Sequence, residues 1–324
     1  MSGRIPLIVI GGPTASGKTQ LAVDIAKAIG SEIVSADSMQ LYRGMDIASA
    51  KPTPEEMGGI PHHLISRIDL SVSFSTADYC ALAREAIADI HARGMIPILC
   101  GGTGLYIRSL LQNIQFGQED EHTDLRAELG EYAKKEGAVA LHRRLEELDP
   151  VSAARIHPNN IVRVVRALEV CISTGEPMSS RQQEAASAPP IYDPCFFLLT
   201  YRDRGILYDR IDRRVDIMLE NGLLEEAQAT RKLPLSNTAK NAIGHKELYP
   251  YLDGLEPLEA SAARLKQATR NYAKRQLTWF AREESAQPIF RDDYEHYEYF
   301  LKITLSRIEN QKKVWYNEGQ RVLP

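Results

Sequence analysis

The feature that most constrains this chain is an eight-residue loop near its N-terminus, Gly12-Pro13-Thr14-Ala15-Ser16-Gly17-Lys18-Thr19. The loop fits the pattern G-x-x-x-x-G-K-[ST]. It follows the apolar run Leu7–Ile10 and precedes apolar residues at helical spacing, Leu21, Ile25 and Ile29. In this strand-loop-helix context, backbone N–H groups and the helix N-terminus attract an anion. The sequence therefore predicts a phosphate-binding loop; the alternative is an ordinary glycine-rich turn.

Two side chains of the loop add chemistry to its backbone. Lys18 supplies a full positive charge, and Thr19 supplies a hydroxyl for Mg²⁺ or for a phosphate oxygen. We expect a phosphorylated ligand at residues 12–19, with Mg²⁺ as the cofactor. These eight residues leave open which ligand it is.

Strand and helix patterns alternate after the loop. Glu32–Ser35 and Met95–Cys100 are short apolar strands, and between them Ser75 and Asp78 form a capping-box signature that begins a helix. This alternation predicts an α/β fold, a P-loop NTPase-like open parallel sheet flanked by helices. Glycines and prolines at 43–74 predict little regular structure there.

Two segments follow the predicted second and third strands, Ala36–Gln40 and Gly101–Tyr106. In open parallel sheets, ligands bind outside the carboxyl ends of the strands. We therefore predict that Asp37 and Thr103 face the same crevice as the phosphate loop, and that the glycines beside Thr103 let the backbone approach a ligand closely. The alternatives are a helix N-cap at Asp37 and a simple turn at Thr103.

The middle of the chain has a different character. Helical patterns lie at 123–136, 138–148 and 160–174. They predict a mostly helical insertion domain over 116–190, within a P-loop-like core formed by 1–115 and 191–324.

Three groups of basic residues are candidates for phosphate contacts. Arg163 and Arg166 are three residues apart on one helix face, which suits either phosphate or a solvated surface. Residues 264–282 carry six Lys/Arg and no Asp or Glu, with aromatic residues interleaved, as suits a nucleic-acid backbone. Arg213 is predicted to reach the phosphate site, although three carboxylates on the same helical pattern could pair with it: Asp209, Asp212 and Asp216.

Bulk properties restrict the class of protein. The net charge of −4 and the pI of about 6.1 mean that any nucleic-acid surface must be a local patch. The four cysteines are widely spaced and predict neither a zinc site nor a disulfide framework. No apolar run reaches the roughly 18 residues of a membrane span. We expect a cytoplasmic protein, a monomer, without a membrane partner.

Five segments occur in one order along the chain. They are residues 12–19, Ser35-Ala36-Asp37-Ser38-Met39-Gln40, Gly44–Ile47 with Ala50–Pro52, Gly101–Tyr106, and Ala273-Lys274-Arg275-Gln276-Leu277-Thr278-Trp279. Together they resemble the bacterial tRNA dimethylallyltransferases, of the tRNA isopentenyltransferase family, over residues 5–283. Ser49 stands where that family often has Thr, and His245 where it commonly has Tyr or Arg.

The resemblance implies a reaction and a set of residues. The loop would hold the diphosphate of dimethylallyl diphosphate, and the dimethylallyl group would move to N6 of the adenosine 3′-adjacent to the anticodon in tRNA. Asp37 would be the general base and Thr103 would orient the leaving group or the adenine, while Arg213 would contact the diphosphate. The implied tRNA-binding residues, for the adenine and the anticodon stem-loop, are Asp37, Ser38, Met39, Gln40, Thr103, Arg163, Arg166, Lys274 and Arg275.

Two other functions use the same loop. An ATP-dependent small-molecule or nucleotide kinase would use Asp37 as a base toward a hydroxyl, but it leaves the basic helix unexplained. A nucleotide-regulated RNA-binding switch leaves Asp37 and Thr103 unexplained.

Overall fold

The computed structural model describes residues 3–116 and 123–318. The chain divides into two compact units, one formed by Met1–Leu111 with Pro190–Pro324 and the other by Gln112–Pro189. Residues 117–122, which belong to the helical insertion predicted at 116–190, lie outside the described residues.

Within the described residues, six parallel strands form one sheet. The strands are β1 (Ile5–Gly11), β2 (Ile33–Ser35), β3 (His62–His63), β4 (Ile98–Gly101), β5 (Tyr192–Thr200) and β6 (Ala286–Phe290). Their order is β3-β2-β4-β1-β5-β6, so β1 lies inside the sheet between β4 and β5. The predicted open parallel sheet is confirmed.

Helices connect the strands and build the second unit. In chain order they are α1 (Lys18–Ile29), α2 (Pro54–Met57), α3 (Thr76–Ala92), α4 (Gly104–Leu111), α5 (Thr123–Glu136), α6 (Ala138–Leu148), α7 (Pro150–Arg155), α8 (Ile161–Thr174), α9 (Met178–Ala185), α10 (Arg204–Glu220), α11 (Leu223–Thr230), α12 (Asn237–Lys240), α13 (Tyr249–Leu252), α14 (Leu258–Phe280) and α15 (Tyr297–Glu318). A short 3₁₀ turn at Arg291–Asp293 precedes the last helix.

The sheet is buried on both faces because side chains of β1 alternate between two apolar layers. Leu7 and Val9 belong to a cluster with side chains of α3 and α4. Ile8 and Ile10 belong to a second cluster, with side chains of α1 and α15. The carboxyl end of β1, where the phosphate loop begins, is thus held between two packed layers.

Local signals set the ends of the helices beside the sheet. The predicted capping box of α3 is present: Ser75 Oγ accepts the Asp78 N–H at 3.2 Å, and Asp78 Oδ2 accepts the Ser75 N–H at 2.9 Å. Helix α1 follows Gly17 and ends at Gly30, both in left-handed conformations that favour glycine.

Two strands lack a clear pattern in the sequence. Strand β3 has only two residues, in a segment where we expected little regular structure. Strand β6 contains Pro288 and is not predicted from the sequence. Proline is tolerated in β6 because this strand lies at the edge of the sheet, where a missing donor interrupts no inner ladder.

The second unit, as far as it is described, is helical. Its long helices α5, α6 and α8 lie where the periodicity predicts them. They enclose a buried apolar cluster that includes Leu129, Leu141, Leu145, Val164 and Leu168. Asp149 is buried between α6 and α7, and its carboxylate accepts the backbone N–H groups of Ser152 at 3.0 Å and Ser179 at 2.8 Å.

Candidate active site

A cavity of about 320 Å³ lies beside the phosphate loop in the first unit. Side chains that line it come from the phosphate loop, the turn after β2, the end of β4, helices α10 and α14, and the loops at 48–50 and 241–246. Because these elements include the carboxyl ends of two parallel strands, the cavity occupies the position predicted for a ligand.

The phosphate loop contributes Thr14, Lys18 and Thr19 to the cavity lining. The Lys18 ammonium donates to the Pro13 carbonyl at 2.6 Å. Burial lowers the pKa of Lys18 to about 8, although the nearby Asp37 carboxylate opposes this shift. Lys18 therefore carries its charge at neutral pH and loses it within the mildly alkaline range.

The backbone of the loop is fixed from outside. A side chain at Gly12 would meet the Leu199 carbonyl oxygen at 2.2 Å, so β5 requires glycine there. Ala15 adopts a left-handed φ of 60°, which costs energy for a residue with a side chain, and its carbonyl accepts from Arg210 Nε at 3.0 Å. The buried Ser16 hydroxyl has no hydrogen-bond partner among the described residues, as fits a donor facing a ligand or a water.

Asp37 lines the same cavity as Lys18 and Thr19. Its Oδ1 atom accepts the Met39 N–H at 3.0 Å, which closes a turn rather than beginning a helix. The structure thus excludes the N-cap alternative. Ser38, Met39 and Gln40 also line the cavity, as their implied contact with a substrate requires.

Thr103 binds the turn that contains Asp37 and Ser38, and it is not part of the cavity lining. Its Oγ1 atom accepts the Ser38 N–H at 3.0 Å. This bond positions the residue next to Asp37, and the implied role of Thr103 in orienting the leaving group or the adenine stays a prediction.

Gln40 is also bonded to protein groups. Its Oε1 atom accepts from Ser35 Oγ at 2.9 Å, and its Nε2 atom donates to the Ala50 carbonyl at 3.3 Å. The amide thereby ties the turn after β2 to the loop at 48–50.

Packing within the protein requires the glycines after β4. A side chain at Gly101 would lie 2.1 Å from the Ala36 carbonyl oxygen, and one at Gly104 would lie 2.1 Å from the Trp279 ring. The close approach at these glycines is to the protein's own backbone and to α14. Gly101 nevertheless lines the cavity, so a close approach of a ligand at these glycines stays a prediction.

Gln276 is a site residue whose role is not predicted from the sequence. It is buried on α14, where Oε1 accepts the Thr14 N–H at 2.9 Å and Nε2 donates to the Gly102 carbonyl at 3.0 Å. One amide thus joins α14 to the phosphate loop and to the segment after β4. The available signal was a polar residue inside the segment 273–279, but spacing alone could not show its partners.

The prediction for Arg213 is corrected by the structure. Arg213 is exposed on α10 and absent from the cavity lining, whereas Arg214 lines the cavity. Burial lowers the pKa of Arg214 from its usual value, and the Asp37 carboxylate opposes that shift. Successive residues of a helix point about 100° apart, so the phase of α10 selects one of the two arginines.

The basic helix α14 is partly neutralised by acids from elsewhere in the chain. Lys266 and Arg270 pair with Asp216 at 2.6 Å and Asp212 at 2.5 Å, both on α10. Arg264 similarly pairs with Glu256. Half of the six cations counted in the sequence are therefore compensated.

The remaining charge lies toward the end of α14. The Lys274 ammonium lies 5.8 Å from the ring centre of Tyr208, and the Arg275 guanidinium lies 5.6 Å from that of Tyr272. Both side chains are exposed, no carboxylate of the described residues pairs with them, and Arg275 also lines the cavity.

The two arginines predicted on α8 differ in their surroundings. Arg163 is exposed, whereas Arg166 pairs with the buried carboxylate of Glu169 at 2.7 Å, which also binds Arg126 at 2.7 Å. Arg166 thus has a structural partner within its own unit.

The family model described as IPP transferase matches residues 40–283. The chain belongs to the IPP transferase family. It is 51% identical over 276 residues to a tRNA dimethylallyltransferase of Exiguobacterium sibiricum, covering 85% of this chain and 86% of that protein. A tRNA dimethylallyltransferase of Lachnoclostridium phytofermentans is 45% identical over 291 residues, covering 89% and 93%. The resemblance inferred from the five segments is confirmed.

Solved structures of similar proteins agree with this assignment. The full-length tRNA isopentenylpyrophosphate transferase of Bacillus halodurans matches with a TM-score of 0.69 and 42% identity, over 97% of this chain and all of that one (100%). A eukaryotic dimethylallyltransferase acting on tRNA matches with a TM-score of 0.79 and 29% identity, over 94% and 80%.

Among the residues that the structure describes, no group of three or more His, Cys, Asp or Glu side chains could hold a metal ion. Thr19 nevertheless brings a hydroxyl oxygen to the cavity. Such sparse ligands suit Mg²⁺, which keeps several waters and binds through phosphate oxygens. Among the described helices, none is both long and apolar enough to cross a membrane.

The cavity arrangement predicts different effects for the two adjacent arginines. Arg214→Ala should weaken the binding of pyrophosphate by about tenfold or more, because it removes a charge-assisted contact from a desolvated site. Arg213→Ala is the matched control and should change affinity less than about twofold. Isothermal titration with pyrophosphate and Mg²⁺ measures both, and equal losses in the two variants would contradict the assignment.

Proposed function

We propose that this protein transfers the dimethylallyl group from dimethylallyl diphosphate to N6 of the adenosine 3′-adjacent to the anticodon in tRNA and releases diphosphate. The observation that carries the proposal is the presence of a phosphate loop and Asp37 in the lining of one cavity. Membership of the IPP transferase family and the relatives named as tRNA dimethylallyltransferases support it. The reaction needs both groups within reach of one allylic carbon.

The diphosphate is the leaving group in this reaction. Backbone N–H groups of Gly17, Lys18 and Thr19, the Lys18 ammonium and the Arg214 guanidinium would bind its oxygens, and Thr19 would lie beside a bound Mg²⁺. When bound, Mg²⁺ would neutralise part of the charge on the diphosphate. These donors accelerate the reaction because that charge grows as the allylic C–O bond breaks.

The apolar part of the cavity suits the dimethylallyl group. Ile211, Val215 and Met218 of α10 and Leu265 of α14 contribute to its lining. Such a surface favours a short hydrocarbon by about 0.8 kcal/mol for each buried CH₂ group. It also keeps water away from the allylic carbon, where hydrolysis would compete with transfer.

Asp37 is the proposed base. The N6 amine of adenine is a poor nucleophile because its lone pair is delocalised into the ring. As the new C–N bond forms and the C–O bond breaks, the amine proton passes to the Asp37 carboxylate, whose Oδ1 is oriented by the Met39 N–H. Ser38 lies beside this carboxylate, at a place suited to contact with the adenine.

The target adenine has to leave the anticodon stack before it can enter the cavity, at a cost of a few kcal/mol. Charged side chains at the protein surface would compensate by binding tRNA phosphates. Lys274 and Arg275 on α14, and Arg163 on α8, are exposed cations suited to that contact. Ser38, Met39 and Gln40 complete the proposed adenine site.

We further propose that the protein acts as a cytoplasmic monomer.

Labelled dimethylallyl diphosphate, unmodified tRNA and Mg²⁺ test the proposal directly. Transfer of label to the adenosine beside the anticodon is the expected result. Absence of transfer would overturn the proposal, and ATP-dependent phosphorylation of a small acceptor would instead establish the alternative kinase.

Replacement of the base separates chemistry from binding. Asp37→Asn should lower the single-turnover transfer rate by about 10²–10⁴-fold, because the amide cannot accept the N6 proton. The tRNA dissociation constant, measured by filter binding, should stay within about twofold, since phosphate contacts dominate that affinity. A near-normal transfer rate would remove Asp37 as the base.

The lowered pKa of Lys18 predicts a pH dependence of donor binding. The charged ammonium binds diphosphate, so the KM for dimethylallyl diphosphate should be constant below the Lys18 pKa of about 8 and should rise above it. The rise should approach about tenfold for each further pH unit. Lys18→Arg stays charged and should lose this inflection; an identical profile in both proteins would assign it to another group.

The charge pattern of α14 predicts which cations set the salt dependence of tRNA affinity. Neutralising Lys274 and Arg275 together should reduce the slope of log affinity against log salt by about one to two, since each phosphate contact releases counterions. Lys266→Ala is the matched control, because Asp216 already pairs with that lysine. A slope that changes only in the control would place the tRNA elsewhere.

A further inference from the structure

Two loops without helix or strand form neighbouring walls of the cavity. Ala48, Ser49 and Ala50 line it from the first loop, and Gly244 and Lys246 line it from the second. Their positions relative to each other decide the width of the cavity, so a contact that fixes both loops would position the substrates.

One carboxylate reaches the first of these loops from α11. Glu226 Oε2 accepts the N–H groups of Asp46 and Ile47, both at 2.7 Å, and Oε1 accepts the N–H of Ala48 at 2.9 Å. Three successive backbone amides that converge on one anion form a nest. Ala48, which lines the cavity, is thus held by the Glu226 carboxylate, which lies outside the cavity lining.

The same carboxylate binds the second loop through His245. His245 Nε2 lies 2.8 Å from Glu226 Oε1, while Nδ1 lies 3.1 Å from the Thr230 hydroxyl. The imidazole is buried, and the residues on both sides of it line the cavity. Next to it, Gly244 packs so closely on Ala48 that a side chain there would lie 2.7 Å from the Ala48 Cβ.

We propose that Glu226 is a positioning residue for the transfer reaction: it binds the amides of Asp46–Ala48 and the His245 ring, and so holds the loops at 46–50 and 244–246 at a fixed separation. This inference rests on the proposed function. Burial raises the pKa of Glu226, but hydrogen bonds from His245 and from the Ile47 and Ala48 amides lower it by more, so the carboxylate stays charged. The charge matters because four donors converge on two oxygens.

A glutamine of the same shape cannot replace this carboxylate. Its one carbonyl oxygen can accept from part of the donor set, and its NH₂ group would face backbone N–H groups or the imidazole. We therefore expect Glu226→Gln to loosen the contact between the loops at 46–50 and 244–246 and to leave the phosphate loop unchanged. Misplacement of about 1 Å at a reacting centre can cost roughly 10²-fold in rate.

Two measurements test the proposal, with Glu225→Gln as the matched control because Glu225 is the exposed neighbour on α11. In Glu226→Gln, hydrogen exchange of the 46–48 amides should accelerate by at least about tenfold, since they lose their acceptor. The single-turnover rate constant should fall by about 10- to 100-fold. Pyrophosphate stoichiometry and the tRNA dissociation constant should stay as in the control.

Several outcomes overturn the proposal. Unchanged hydrogen exchange of the 46–48 amides would show that Glu226 does not hold the loop. An unchanged single-turnover rate constant with a smaller fraction of active protein would show that Glu226 has only a structural role. If Glu226→Gln fails to fold, Glu226→Asp should show both shifts at smaller size, and its failure to do so is equally decisive. A wild-type protein that transfers no label contradicts the proposed function instead, while the exchange data still report on the loop.

Discussion

Two hydrogen bonds of one buried amide, that of Gln276, join the elements on which the site depends. The amide accepts from the Thr14 N–H of the phosphate loop and donates to the Gly102 carbonyl after β4. The bond to the Gly102 carbonyl is buried, so its loss would leave a buried acceptor unsatisfied, at about 1–3 kcal/mol. Helix α14 is therefore part of the framework of the site as well as a basic surface.

Other polar side chains near the site also form hydrogen bonds to protein groups. Thr103 and Gln40 each bond to neighbouring protein groups, so they shape the turn around Asp37. The charges that face the cavity are then supplied by few groups, among them Lys18, Arg214 and Asp37. Lys18 and Arg214 are both desolvated, and the nearby Asp37 carboxylate opposes the resulting fall of their pKa values.

Charge on α14 illustrates how far composition can mislead. The segment 264–282 contains no acid, yet acids from α10 and from the loop before α14 neutralise its first half. Asp212 and Asp216 lie far from α14 in the chain and reach it only because α10 packs against it, whereas Glu256 is a near neighbour of the helix. The uncompensated cations, Lys274 and Arg275, are a subset that a count of charges could not select.

Strong local patterns were sufficient for much of the fold. The phosphate loop, the α3 capping box and the helices α5, α6 and α8 follow from spacing and propensity, because each signal lies within a few consecutive residues. Strands β3 and β6 could not be found in this way. One has two residues and the other contains a proline, so pairing with the sheet, rather than propensity, makes them strands.

The sequence by itself determined the phosphate loop, the open parallel sheet and the position of Asp37 after β2, and through its five ordered segments it determined the family. Tertiary structure decided which residues complete the site. The phase of α10 selected Arg214 over Arg213, and long-range contacts gave Gln276 and Glu226 their partners. The physical reason is that hydrogen bonds and burial depend on which distant groups converge, whereas loop and strand patterns depend on neighbours in the chain.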